Sequence, residues 1–164
     1  MQNLAREVGI VLKASGMMMA TAESCTGGWI AKLMTDISGS SAWFDAGFVT
    51  YSNAAKRRML GVDAELIDIH GAVSEAVVVQ MAEGAVIRSE ADIAVAVSGI
   101  AGPQGGTQEK PVGTVWLAWA AHGRETQTLR CQFAGDRESV RLQTAERALN
   151  GIIEYLDGKG VAIK

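Results

Sequence analysis

Ser24 stands in the stretch Ala22-Glu23-Ser24-Cys25-Thr26-Gly27-Gly28, between the apolar run Met17-Met18-Met19-Ala20 and Trp29-Ile30-Ala31-Lys32-Leu33-Met34, whose three-and-four spacing is helical. A small hydroxyl in a turn just ahead of a helix can serve as a nucleophile. Unpaired backbone N–H groups and the positive end of the helix dipole gather at such a place, so the turn Cys25, Thr26, Gly27 and Gly28 is an expected oxyanion or phosphate site. Cys25 is a rival nucleophile, its thiol activated by the same helix end, and two bland readings stand beside these: Ser24 as a helix N-cap and Cys25 as a small residue buried behind the turn.

A serine needs a base before it attacks a carbonyl at neutral pH. His122 falls in a predicted hairpin tip and His70 before a helix-entry turn, positions that suit solvation and capping, and no Gly-x-Ser-x-Gly elbow is present. Lys56 is the better candidate. It lies five residues beyond Tyr51, across a predicted strand-to-helix turn that can bring amine and phenol into one site, where burial would favour the neutral amine. The alternative places Lys56 on a solvated face with Arg57 and Arg58.

A second glycine-rich segment, Ser98 to Gly106, carries Gly99, Gly102 and Gly105 and can wrap a phosphate with main-chain N–H groups, Lys110 or Arg137 neutralising the charge. It matches neither the P-loop nor the Rossmann glycine pattern. Arg137 and Arg141, four apart at the start of the last predicted helix, can clamp a phosphate or pair on the surface with Glu138. No His, Cys, Asp or Glu cluster has metal-ligand spacing, so neither metal nor cofactor is expected.

The elements needed to position these residues are legible from periodicity. An amphipathic helix over 4–14 stops at Gly16; strands are expected from Met17, over 44–51, 92–98, 113–121 and 125–133; helices over 29–34, 53–60, part of 63–69, 74–88 and 136–156, the last capped by Asp136. Early strand–helix alternation followed by a hairpin predicts an α/β fold, a three-layer α/β/α sandwich around a mixed sheet.

The 164 residues, 48% hydrophobic, suit a single domain over 1–164. A net charge of -3 and the lack of a basic stripe disfavour nucleic acid, and no apolar run is long enough for a membrane span. Two distant cysteines and an N-terminus without signal-peptide character point to the cytoplasm, and apolar surface on the long helices to a homo-oligomer.

Several ordered blocks carry a resemblance: 21–28, Gly47-Phe48-Val49-Thr50-Tyr51-Ser52-Asn53-Ala54-Ala55-Lys56, Gly71-Ala72-Val73-Ser74, Ser98-Gly99-Ile100-Ala101-Gly102-Pro103, 110–115 and Gly135-Asp136-Arg137. Together they resemble the C-terminal domain family of the competence/damage-inducible CinA proteins. The resemblance implies the α/β/α fold and hydrolysis of the carboxamide of nicotinamide mononucleotide to nicotinic acid mononucleotide and ammonia. It also implies a serine nucleophile, a lysine base and a nearby tyrosine, roles that fall on Ser24, Lys56 and Tyr51. The partner implied is thus a small pyridine mononucleotide. The CinA N-terminal domain has no counterpart in these residues, so its activity is not carried over. Phe48 and Ala46, flanking Gly47, are expected to form a bulkier pocket wall than is usual in the family. A catalytically silent nucleotide-binding or regulatory module is the alternative reading.

Overall fold

The computed structural model describes residues 1–158 and 161. Its helices are α1 (Gln2–Ser15), α2 (Trp29–Thr35), α3 (Asn53–Leu60), α4 (Ala64–His70), α5 (Glu75–Ile87) and α6 (Arg137–Leu156). They surround one sheet made of β1 (Met19–Glu23), β2 (Phe44–Val49), β3 (Ile93–Gly99), β4 (Thr114–Ala121) and β5 (Gln127–Gln132). The strand order is β2-β1-β3-β4-β5, with β1 parallel to both β2 and β3 and the β3–β4 and β4–β5 pairs antiparallel. This is the expected mixed sheet in a three-layer sandwich.

Side-chain alternation along the central strands builds two different cores. Ile93, Val95, Val97, Leu117 and Trp119 face α1, α2 and α6. Ala20, Ala22, Ala94, Ala96, Ala118 and Ala120 face the other way and let α5 lie close to the sheet. On this side Gly84 of α5 meets the end of α3 so tightly that a Cβ there would stand 2.1 Å from the Leu60 carbonyl oxygen.

The first strand departs from expectation. It starts at Met19, because the Met18 N–H is taken by the Asp92 carboxylate at 2.8 Å and the Met18 carbonyl by the N–H groups of Asp92 and Ile93. It also runs on to Glu23, every residue buried, so the Ser24 turn begins only where the strand leaves the sheet. Phe48 and Ala46 on β2 pack against the alanine-side core and do not line the cavity described below, contrary to the expected bulkier wall. Asp136 caps α6 as expected, accepting from the Ser139 N–H at 2.8 Å. Each of the long helices α1, α5 and α6 leaves one large apolar residue exposed: Ile10, Ile87 and Leu142.

Candidate active site

From its carboxyl end β1 connects to β2 on one side, while its parallel neighbour β3 connects to β4 on the other, so a crevice opens between the carboxyl ends of β1 and β3, the usual ligand position in open α/β sheets. Ser24 lies at that point. A cavity of about 200 Å³ is lined there by Ser24, Cys25, Tyr51, Lys56, Gly99 and Arg137, among others.

Lys56 reaches the cavity from the second turn of α3, a helix capped by the Ser52 hydroxyl on the Ala55 N–H at 3.1 Å. Arg57 and Arg58 are exposed while Lys56 is only 1% exposed, so Lys56 does not share their solvated face. The signal was present in helical phase: Lys56 and buried Leu60 are four apart and share the inward face. The Lys56 Nζ lies 3.0 Å from Ser24 Oγ and 3.0 Å from the Thr50 carbonyl oxygen. Burial holds the amine below its ordinary 10.5, since desolvation penalises the ammonium. A neutral amine can donate one N–H to Thr50 and turn its lone pair to the Ser24 hydroxyl.

The same burial acts oppositely on the neighbouring thiol. Cys25 is pushed up to about 12, chiefly by desolvation, so it remains a protonated, apolar core group. Of the two rival side chains, Ser24 is the one hydrogen-bonded to the Lys56 amine.

Tyr51 lies at the rim rather than beside the amine. Its ring is 63% exposed and its phenolic oxygen accepts from Arg137 Nη2 at 3.0 Å, while Arg137 Nη1 donates to the Gly102 carbonyl at 2.8 Å. The Lys56 amine is tied to the Thr50 carbonyl. Gly99 lines the cavity, Gly102 enters through that carbonyl, and Gly105 is exposed and outside the walls. Lys110 donates to the His70 carbonyl at 2.7 Å and takes no place in the cavity; His70 and His122 are both exposed.

The turn at 25–28 is also less open than expected. Glu23, fully buried, accepts the N–H groups of Gly28, Ile30 and Ala31 at 3.0, 3.1 and 2.8 Å and the Thr26 hydroxyl at 2.6 Å. The N-terminus of α2 is therefore occupied by the chain's own carboxylate. Gly27 donates to the Ser24 carbonyl at 3.2 Å, and the Cys25 N–H is the main-chain donor that follows the Ser24 hydroxyl in the chain. Arg141 turns inward, onto the carbonyls of Cys25 and Thr26, rather than out toward a phosphate or Glu138.

Ser98 and Thr50 were not singled out from the sequence. Ser98 lines the cavity, is buried, and donates to the Ala72 carbonyl at 2.7 Å. A hydroxyl closing a β-branched strand before a glycine-rich loop was the available signal for it; nothing local marks a main-chain carbonyl such as that of Thr50. Among the described residues no group of three or more His, Cys, Asp or Glu side chains gathers as a metal site, and no helix is long and apolar enough to cross a membrane.

An α/β/α domain with a buried serine–lysine pair at the carboxyl end of its first strand defines the class, and the chain belongs to the CinA C-terminal domain family, whose model matches residues 1–156. It is 58% identical over 149 residues to the nicotinamide-nucleotide amidohydrolase PncC of Escherichia coli K12, covering 91% of this chain and 90% of that protein. The PncC protein of Pseudomonas putida is 54% identical over 151 residues, covering 92% of this chain and 94% of its own length. Among solved structures, the competence/damage-inducible protein of Agrobacterium tumefaciens superposes with a TM-score of 0.91 at 48% identity, covering 95% of this chain and 94% of that one.

Proposed function

We propose that the chain hydrolyses the carboxamide of nicotinamide mononucleotide, releasing ammonia and nicotinic acid mononucleotide, in cytoplasmic pyridine-nucleotide recycling. Ser24 is the nucleophile and Lys56 its general base. The observation that carries this is the 3.0 Å separation of Lys56 Nζ from Ser24 Oγ with the amine buried. The substrate comes from the relatives: PncC proteins at 54–58% identity are named for nicotinamide-nucleotide amidohydrolysis.

Lys56 takes the hydroxyl proton as Ser24 Oγ attacks the amide carbon, and the oxygen that becomes negative accepts the Cys25 N–H. The C–N bond then breaks, and the Lys56 ammonium returns the proton to the departing nitrogen, which leaves as ammonia. Water attacks the acyl-serine with Lys56 again taking the proton, and the acid departs as Ser24 recovers its hydrogen.

The cavity suits one aromatic ring bearing a carboxamide. Arg137 is shared with an open groove lined by Trp29, Asp136, Glu138 and Arg141, the direction in which a ribose phosphate would extend, with Arg137 and the Gly99–Gly102 loop as its anion partners. Tyr51, tied to Arg137, closes the rim on that side.

The test is ammonia release from nicotinamide mononucleotide by wild type, Ser24→Ala and Lys56→Ala. Each substitution is expected to lower kcat by about 1,000-fold or more. Release that survives both removes the dyad; tight binding by wild type without release marks a nucleotide-binding module.

A further inference from the structure

The Ser24 turn is gripped by charge on two sides. Behind it Glu23 holds the start of α2. In front, the Arg141 guanidinium reaches across from α6, its Nε 3.1 Å from the Cys25 carbonyl oxygen and its Nη2 2.8 Å from that of Thr26, while its carbon lies 5.1 Å from the centre of the Trp29 ring. Stacking on the indole and two hydrogen bonds leave the guanidinium fork little freedom.

These bonds form a chain. The Thr26 carbonyl, held by Arg141, belongs to the same peptide as the Gly27 N–H, which donates to the Ser24 carbonyl at 3.2 Å. The Ser24 carbonyl in turn belongs to the peptide whose other end is the Cys25 N–H. In a trans peptide C=O and N–H point oppositely, so a donor on one end both orients the plane and polarises the hydrogen on the other. We infer that Arg141 is a positioning residue for the reaction, acting through two successive peptides to aim and strengthen the Cys25 N–H at the developing oxyanion. The inference rests on the serine-nucleophile reading given above. The charge is felt at that point: burial pushes the Cys25 thiol up, and Arg141 is among the groups pulling it down.

The experiment compares wild type with Arg141→Met and Arg141→Lys, each checked for native circular dichroism. Arg141→Met is expected to lower kcat for ammonia release about 100-fold, with KM changed less than about threefold. Arg141→Lys keeps the charge without the fork and falls between, so it decides by the same split if the Met variant fails to fold. In a truncated Arg141→Ala, which leaves room for it, added guanidinium ion is expected to restore part of the rate. An unchanged kcat, or a loss confined to KM as for a phosphate ligand, overturns the inference.

A second readout is free of the substrate. A fluorophosphonate phosphonylates Ser24: the Oγ–P bond forms, the P–F bond breaks, fluoride leaves and the hydroxyl proton passes to Lys56. Its rate is followed by intact mass and is expected to fall about tenfold or more in Arg141→Met. Wild type that labels but releases no ammonia removes the substrate assignment and leaves the labelling rates to decide on Arg141, equal rates overturning it. Wild type that does neither removes the nucleophile, and the role of Arg141 with it.

Discussion

A lysine buried with no carboxylate partner among the described residues is costly unless it sheds its proton, and Lys56 is placed so that shedding it leaves a base beside a hydroxyl. Lys56→Arg makes the contrast directly, since a guanidinium does not deprotonate in proteins; ammonia release is expected to fall to the level of Lys56→Ala. The pH dependence has a definite sign. The folded amine titrates below 10.5, so at this group the unfolded chain binds more protons between the folded value and 10.5, and the Lys56 contribution to stability rises with pH in that window, opposed above 9.0 by the Cys25 thiol that the fold keeps protonated. In urea denaturation across this range the stability of wild type minus that of Lys56→Met should rise with pH, which cancels the thiol common to both. Cys25, with its thiol near 12 and its side chain in the core, should resist iodoacetamide in the native protein and react once urea unfolds it.

Among the elements, the site depends on how closely α3 is held. Gly84 brings α5 against the last residue of α3, and Gly84→Ala would drive its methyl into the Leu60 carbonyl. The expected result is a loss of about 1–3 kcal/mol in urea denaturation, accompanied by a fall in kcat as Lys56 shifts from Ser24. Glu23→Gln replaces an acceptor of four hydrogen bonds with a group that presents two donors to them, and is expected to cost about 1–3 kcal/mol on the same assay. Elements such as α6 were legible because Asp136, the amphipathic repeat and the glycine ahead of it agree. The start of β1 was not, because Met17 and Met18 are as apolar as Met19 and only Asp92, far along the chain, ends the pairing.

Over the whole molecule, both cores share one sheet: the large residues of β3 and β4 serve α1, α2 and α6, and the alanines between them serve α3, α4 and α5. One cooperative unfolding transition, coincident by far-ultraviolet dichroism and tryptophan fluorescence, is therefore expected. Ser24, Lys56 and the local turn could be read from residue types because each lies beside its own punctuation. The ties of Tyr51 to Arg137 and of Arg141 to Cys25 join positions 86 and 116 residues apart, where periodicity carries no information and only the closed fold brings the groups together. Through these contacts the folded chain buries one amine beside a hydroxyl, which lowers the amine's hold on its proton. Carbon-13 NMR of the protein labelled at lysine Cε, with Lys56→Met to assign the signal, measures the charge of that amine in the intact domain: the Lys56 resonance is expected to titrate below 10.5, whereas a midpoint at or above 10.5 would contradict a neutral base at Ser24.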